Sequence, residues 1–152
     1  MPQTLTKYFE SFEYQEDDVV EFPSGLPAFE NETRFLIIER AATAPLAFLQ
    51  SLKQPGLCFL ALPVLAIDPN YEPAVTREDL QTLGLELSSQ PRIGAEIGCL
   101  DILVVTENGR ISANLSAPIV INRANRIGLQ AIRADSVYSH QHPVTIQEEV
   151  CS

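Results

Sequence analysis

The chain has 152 residues, which fits one domain and leaves little room for two, and its 20 acidic against 10 basic side chains give a formal net charge of −10. A phosphate backbone or an anionic membrane surface would be repelled by this charge, which argues against direct binding to nucleic acid or membrane. A basic protein partner would be attracted, although acidity of this kind also serves solubility alone.

Short strands are predicted throughout the first half of the chain. They correspond to apolar alternation or β-branched runs at residues 4–14, 18–22, Arg34–Glu39, 45–52 and 57–67. Between the second and third runs, Pro23, Gly25 and Pro27 predict a turn, because proline fixes φ and glycine permits positive φ. Residues 53–56, with the sequence Lys-Gln-Pro-Gly, predict another turn.

One helix is predicted at residues 76–84. Thr76 precedes two acidic residues and resembles the start of a capping box, in which its hydroxyl accepts an otherwise unpaired amide. Leu80 and Leu83 lie three residues apart and share one helix face. Gly84 is well placed to end the helix.

Strand signals return at residues 99–107, and residues 85–98 before them are hard to assign. Asn108 and Gly109 predict a tight hairpin that leads into runs at 110–115, 117–122 and 127–132, with an extended segment at 136–145. Eight or nine short strands predict a mainly β fold, a small antiparallel β-barrel or sandwich-like single domain with one or two short helices. We expect this domain to cover residues 1–145, and residues 146–152 to form an acidic, flexible tail.

Cysteine usage predicts a reducing compartment. Cys58, Cys99 and Cys151 are an odd number without a C-x-x-C pair, and two of them lie in apolar runs. The N-terminus has no apolar core of a signal peptide, and the longest apolar run, residues 57–67, is too short to cross a membrane. We therefore expect a cytoplasmic protein.

The sequence predicts no catalytic residue, cofactor or metal ion. It has no G-x-S-x-G elbow and no phosphate-binding glycine loop. His140 and His142 would share one face of a strand, as two metal ligands do, but two surface histidines are the favoured interpretation because further ligands are not evident. Carboxylates cluster at residues 13–18, 30–32 and 68–72, where a glycosidase pair would have to converge in a cleft; solvated loops are the favoured interpretation, followed by a partner surface.

The loop at residues 68–73 is the most specific candidate for partner binding. Two prolines stiffen it, which lowers the entropy lost on binding. Tyr71 offers a large amphipathic contact, and Asp68 and Glu72 flank it with negative charge. The alternative is a structural turn with a half-buried tyrosine.

Six stretches, in order along residues 8–143, resemble one bacterial family. They are F-P-S-G-L-P-A-F-E at residues 22–30, F-L-Q-S-L at 48–52, D-P-N-Y-E at 68–72, A-N-L-S-A-P-I-V-I-N at 113–122, G-L-Q at 128–130 and H-P at 142–143. Together they are similar to the flagellar assembly factor FliW family. Ala28 and Phe48 depart from this pattern, because relatives usually have glycine and often tryptophan there.

The resemblance implies a mainly β, non-enzymatic regulator without a cofactor. Members of that family bind the translational repressor CsrA and also flagellin, and the two partners compete. On this basis we expect partner contacts at Phe29, Glu30, Asp68, Asn70, Tyr71 and Glu72. We expect structural roles for the motif residues Pro23, Gly25, Pro27, Asn114, Pro118 and Asn122. We further expect a monomer when free, and the alternatives are a flagellin chaperone or export factor without a translational role, or a small ligand-binding β-barrel.

Overall fold

The computed structural model of the chain describes residues 3–7 and 11–145. Within these residues the chain forms eleven strands, two α-helices and two short 3₁₀ turns. The strands are β1 (Gln3–Leu5), β2 (Ser11–Glu13), β3 (Val19–Glu21), β4 (Arg34–Glu39), β5 (Ala47–Ser51), β6 (Cys58–Pro63), β7 (Ile97–Val105), β8 (Ile111–Ala113), β9 (Ile119–Asn122), β10 (Gly128–Gln130) and β11 (His142–Val144). The helices are α1 (Val64–Ile67) and α2 (Arg77–Leu83), and the 3₁₀ turns are Glu16–Asp18 and Ala41–Thr43.

Seven strands follow one another across a sheet in the order β10-β9-β7-β6-β5-β4-β3, with every neighbouring pair antiparallel. The long strand β7 changes partners along its length, so that its last three residues pair with β8, and β11 pairs with β8 in turn. Glu21 of β3 and Ile127, the residue before β10, form one isolated parallel bridge, and no ladder of described residues closes the sheet. The mainly antiparallel β fold is confirmed, as an open sheet and not a closed barrel.

The concave face of this sheet is filled with apolar side chains. Phe22 and Phe35 meet edge to face with their ring centroids 5.4 Å apart. A side-chain Cβ at Gly128 would lie 2.9 Å from the Phe22 ring, so glycine is needed where the two outer strands converge. Strands across the sheet contribute the rest of this cluster, including Val20, Leu49, Ala61, Leu100, Ile119 and Ile121.

The convex face is covered in two places. Because successive strand residues point to opposite faces, Cys99 and Val120 pack outward against α1, α2 and the loop between them. Leu36, Ile38, Phe48 and Cys58 form a further cluster against which Tyr14 packs. Cys58 and Cys99 are buried free thiols whose pKa values are raised by burial, to about 11 for Cys58, so both act as small apolar groups. Cys151 lies outside the described residues.

Helix α2 confirms the local prediction. The Thr76 Oγ1 accepts a hydrogen bond from the Asp79 amide at 3.2 Å, which caps the first turn. Gly84 ends the helix in the left-handed conformation with φ of +75°, and Leu80 and Leu83 are buried. None of the helices in the described part of the chain is long and apolar enough to cross a membrane.

Three strand predictions were wrong in part. The run at 57–67 is a strand only as far as Pro63, after which the chain turns into α1, because proline has no amide for the ladder and its φ suits a helix start. The run at 4–14 contains two short strands that pair with each other, and Tyr8 and Phe9 lie outside the described residues. Of residues 136–145, only His142–Val144 pairs as a strand.

Two predicted turns are confirmed, each with an added feature. In the hairpin after β7, Gly109 takes φ of +77° and its amide bonds to Thr106 O, which is a three-residue loop with a glycine bulge. In the turn after β3, a Cβ at Gly25 would lie 2.5 Å from the Glu30 backbone, so glycine is required there. Ala28 keeps a positive φ of 70° and therefore carries strain that glycine would not.

Candidate functional site

The loop at residues 68–73 joins α1 to α2 and is held first by its own turn. The Asp68 Oδ1 accepts the Asn70 amide at 2.9 Å, and the Tyr71 amide bonds to the Asp68 carbonyl oxygen at 3.1 Å. Asn70 and Glu72 are exposed and Asp68 is half-buried. These three predicted residues therefore reach solvent together on one stiff loop.

Tyr71 faces the other way. Its side chain is only 5% exposed, its hydroxyl donates to the Leu115 carbonyl oxygen at 2.9 Å, and its ring packs against Tyr138 with a centroid distance of 4.5 Å. Burial raises the pKa of Tyr71 to about 12. Tyr71 therefore has a structural role in this turn, as the alternative interpretation of the loop expected. A partner that contacts the loop would have to bind Asp68, Asn70 and Glu72 instead.

Arg133 holds the loop against the body of the protein. Its guanidinium lies over the Tyr138 and Tyr71 rings, 4.7 and 5.3 Å from their centroids. Nη1 donates to the Tyr71 hydroxyl oxygen at 3.2 Å and to the Glu72 carbonyl oxygen at 2.6 Å. Nε and Nη2 donate to the two Asp135 oxygens at 2.8 and 2.9 Å, a bidentate pair that holds the pKa of Asp135 below its ordinary value.

Arg133 is a functional candidate that sequence reasoning missed. It lies 62 residues from Tyr71 along the chain, just beyond the short strand β10, and no local motif marks it. Its side chain is 5% exposed and uses the planar fork of donors that lysine lacks. The loop conformation therefore depends on a contact that only the folded topology creates.

Phe29 and Glu30 lie at a different place from the loop. Phe29 is 36% exposed and meets the Phe59 ring edge to face at 5.3 Å, at the edge of the concave core. Glu30 is exposed. The neighbours of these two residues come from β6 and the turn after β3, whereas the loop at 68–73 packs against Leu115, Arg133 and Tyr138. The six predicted partner contacts thus form two separate groups.

Glu32 corrects the interpretation of the acidic clusters as solvated loops. It is 3% exposed, and its carboxylate accepts hydrogen bonds from the Ser51 hydroxyl at 2.7 Å and from the Gln54 side-chain amide. The Ser51 Oγ in turn accepts the amides of Lys53 and Gln54 at 3.1 and 3.0 Å. A buried carboxylate with these partners fixes the turn between β5 and β6.

Gln50 gives the F-L-Q-S motif a structural role. The two N–H groups of its buried Nε2 are shared among the carbonyl oxygens of Ser51 and Pro55, both at 3.0 Å, and of Leu57 at 3.2 Å. Its Oε1 accepts the Lys7 amide at 2.9 Å. One side chain therefore ties the N-terminal segment to the β5–β6 turn.

The family-like stretch at 113–122 is also organised by side-chain amides. The Asn114 Oδ1 accepts the Ser116 amide at 3.0 Å and the Ser116 hydroxyl at 2.6 Å, which forms the turn before β9. Asn122 is buried and donates to the Leu83 carbonyl oxygen at 2.7 Å, so it binds the end of α2 to the sheet. Pro118 is buried beside them.

Asp101 is a second buried carboxylic acid, and the apolar sequence around it did not predict its burial. It is 0% exposed on β7, and neither carboxylate oxygen has a hydrogen-bond partner among the described residues. Desolvation raises the pKa of this carboxyl to about 7. The carboxyl shares the convex side of β7 with Cys99, and its charge acts on Tyr71 as well.

The two histidines are not placed as a ligand pair on one strand. His142 belongs to β11 and is half-buried, whereas His140 is exposed in the turn before it. Among residues 3–7 and 11–145, no group of three or more His, Cys, Asp or Glu side chains could hold a metal ion.

Comparisons with known proteins agree along most of the chain. A sequence model described as FliW protein matches residues 3–144. The flagellar assembly factor FliW of Syntrophomonas wolfei subsp. wolfei is 37% identical over 133 residues, which cover 87% of this chain and 81% of that protein. Its counterpart in Bacillus subtilis is 31% identical over 140 residues, covering 91% and 94%. A crystal structure of the flagellar assembly factor FliW matches with a TM-score of 0.79 at 30% identity, over 93% of this chain and 96% of that one.

Proposed function

Because the chain belongs to the FliW family of flagellar assembly factors, we propose that it is a non-enzymatic regulator that works by binding other proteins. In this proposal it binds a CsrA-like translational repressor and flagellin, which compete for it in the cytoplasm. When flagellin is exported, the freed protein sequesters the repressor and flagellin translation resumes. The observation that carries the proposal is the family match over residues 3–144.

The charge of the chain supports a basic protein partner. A formal net charge of −10 speeds encounter with a positively charged surface, which an RNA-binding repressor must have. The same charge disfavours direct contact with RNA. The proposed regulator thus acts on translation through a protein and not by binding the transcript.

The loop at 68–73 supports recognition by a preformed surface. Arg133 and Leu115 fix its backbone and its tyrosine, while Asn70 and Glu72 remain exposed. A surface that is ordered before binding loses little conformational entropy in the complex. Phe29 and Glu30 form the second exposed group, and we propose them as a separate contact region.

The packed concave face weighs against the alternative of a ligand-binding barrel. A lumen that holds a small molecule needs space lined by convergent polar groups. Here Val20, Phe22, Phe35, Leu49 and Ile119 fill that position with side chains that are not exposed. Among the described residues, we therefore place the partner-binding surfaces on the exterior of the protein and not in this apolar core.

A competition experiment tests the proposal. The purified chain is mixed with the CsrA-like protein and with flagellin from the same organism, separately and then together, and complexes are separated by size-exclusion chromatography. We expect a monomer when it is free, a stoichiometric complex with each partner, and release of the repressor as flagellin is added. A complex with flagellin alone would select the chaperone alternative, and binding to neither would contradict the proposal.

A further inference from the structure

A groove of about 500 Å³ lies directly beside the loop at 68–73. Leu65 of α1, Pro69 and Pro73 line one side, and Pro91 and Ile93 line the other. Leu65 is 39% exposed, although it belongs to a helix whose neighbouring Val64 is fully buried. The groove is thus an apolar surface that remains open to solvent.

Both sides of the groove are fixed before anything binds. The Gln90 side chain accepts the Val75 amide at 2.8 Å and donates to the Val75 carbonyl oxygen at 3.0 Å. This pair of hydrogen bonds connects the segment that contains Pro91 and Ile93 to the segment that follows Pro73. Tyr71 also lines the groove and is held by Leu115 and Arg133. A rigid apolar groove of this kind favours binding, because its own side chains and backbone lose little conformational entropy in the complex.

The charges around the groove identify the kind of occupant. Glu72 is exposed on one wall, and Asp68 is half-exposed just before Pro69. Arg92 is the basic residue of the lining, and the Glu96 carboxylate lies close to it, where it accepts the Arg92 backbone amide at 3.1 Å. The hydrogen bond from the Arg92 backbone amide is the largest cause of the lowered pKa of Glu96, and the Arg92 charge lowers it further. With the carboxylates of Asp68, Glu72 and Glu96 against this one guanidinium, the charge around the groove is negative, as is that of the whole chain.

We propose that this groove binds an extended segment of a protein partner that carries apolar side chains flanked by lysine or arginine. The apolar side chains lie between Leu65 and Ile93, and a basic side chain pairs with Glu72. The inference rests on the proposed function, since the segment belongs to a protein that this chain recognises.

Two short peptides test the groove directly. The full chain, with isotope-labelled methyl groups, is titrated with Ac-Arg-Leu-Leu-Arg-NH₂ and with Ac-Glu-Leu-Leu-Glu-NH₂ and followed by NMR. We expect the methyl signals of Leu65 and Ile93 to shift with the basic peptide, and its affinity to exceed that of the acidic peptide by about fivefold, the effect of one exposed ion pair. Equal affinities, or shifts confined to other methyl groups, would overturn the inference.

Matched variants separate this inference from the proposed function. Leu65→Ser is expected to lower the affinity for the basic peptide by about tenfold, because an apolar contact is lost. The control Val104→Ser changes a 55% exposed valine on β7 and is expected to leave this affinity unchanged. The same variants are titrated with the CsrA-like protein and flagellin. If both proteins bind Leu65→Ser as tightly as wild type, the groove inference is wrong and the proposed function stands. If the peptide binds in the groove but neither protein binds the chain, the proposed function is wrong and the groove assignment stands.

Discussion

The buried carboxyl of Asp101 predicts an unusual dependence of stability on pH. In the folded protein its pKa is raised by burial from 3.8 to about 7, and neither carboxylate oxygen has a hydrogen-bond partner within residues 3–7 and 11–145. The folded state therefore holds this proton over a pH range in which the unfolded state has released it, so stability falls as pH rises. Cys99 and Tyr71, the ionisable neighbours, have raised pKa values and stay neutral in this range.

The size of the effect follows from the separation of the two pKa values. About 3 pH units at about 1.4 kcal/mol each give a loss of about 4 kcal/mol. The stabilising contribution is complete below about pH 4, is lost between about pH 4 and about pH 7, and levels off above that range. Because other carboxylates also titrate, the quantity to measure is the difference between wild type and a variant that cannot ionise.

The free energy of unfolding of Asp101→Asn and of wild type is measured by urea unfolding from about pH 5 to about pH 8. We expect the stability of the variant relative to wild type to rise by about 2 kcal/mol from about pH 5 to about pH 7 and to level off by about pH 8. Asp17→Asn, which removes an exposed carboxylate, is the control and is expected to show no such rise. A difference between Asp101→Asn and wild type that is constant over this range would mean that the pKa of Asp101 is not raised in the folded protein.

Three further substitutions test local features of the fold, each by chemical unfolding. Ala28→Gly should stabilise the protein by about 0.5–1 kcal/mol, because glycine relieves the positive φ of 70°, and no gain would mean that the turn is unstrained. Thr76→Ala should cost about 1 kcal/mol through loss of the cap on Asp79, whereas an unchanged stability would contradict that cap. Ser51→Ala should cost about 1–3 kcal/mol, because the buried Glu32 loses a partner, and a neutral result would show that water replaces it.

Features encoded by neighbouring residues could be predicted from the sequence. Helix α2 begins at a capping threonine and ends at a glycine, and both signals lie within the helix ends themselves. The turn at 23–27 and the hairpin at Gly109 likewise depend on residues whose φ preference is intrinsic. The strands on either side follow from alternation of apolar residues.

Features that depend on distant contacts could not be predicted. The burial of Tyr71 arises from Leu115 and Arg133, which lie 44 and 62 residues away in the chain. Glu32 was grouped with solvated carboxylates, although its partner Ser51 is 19 residues away on β5. In each case the polar group is buried because another segment supplies a hydrogen bond, and that pairing exists only in the folded topology.

In the function proposed above, an acidic and preordered surface of this chain recognises a basic protein. Calorimetric titration of the CsrA-like partner into wild type and into Glu72→Lys, at about 50 mM and about 300 mM salt, tests it most directly. We expect stoichiometric binding to wild type at low salt, weaker binding at high salt, and a further loss of affinity in the charge-reversed variant. Absence of binding to wild type at low salt would contradict this recognition. So would equal affinities of wild type and Glu72→Lys at either salt concentration.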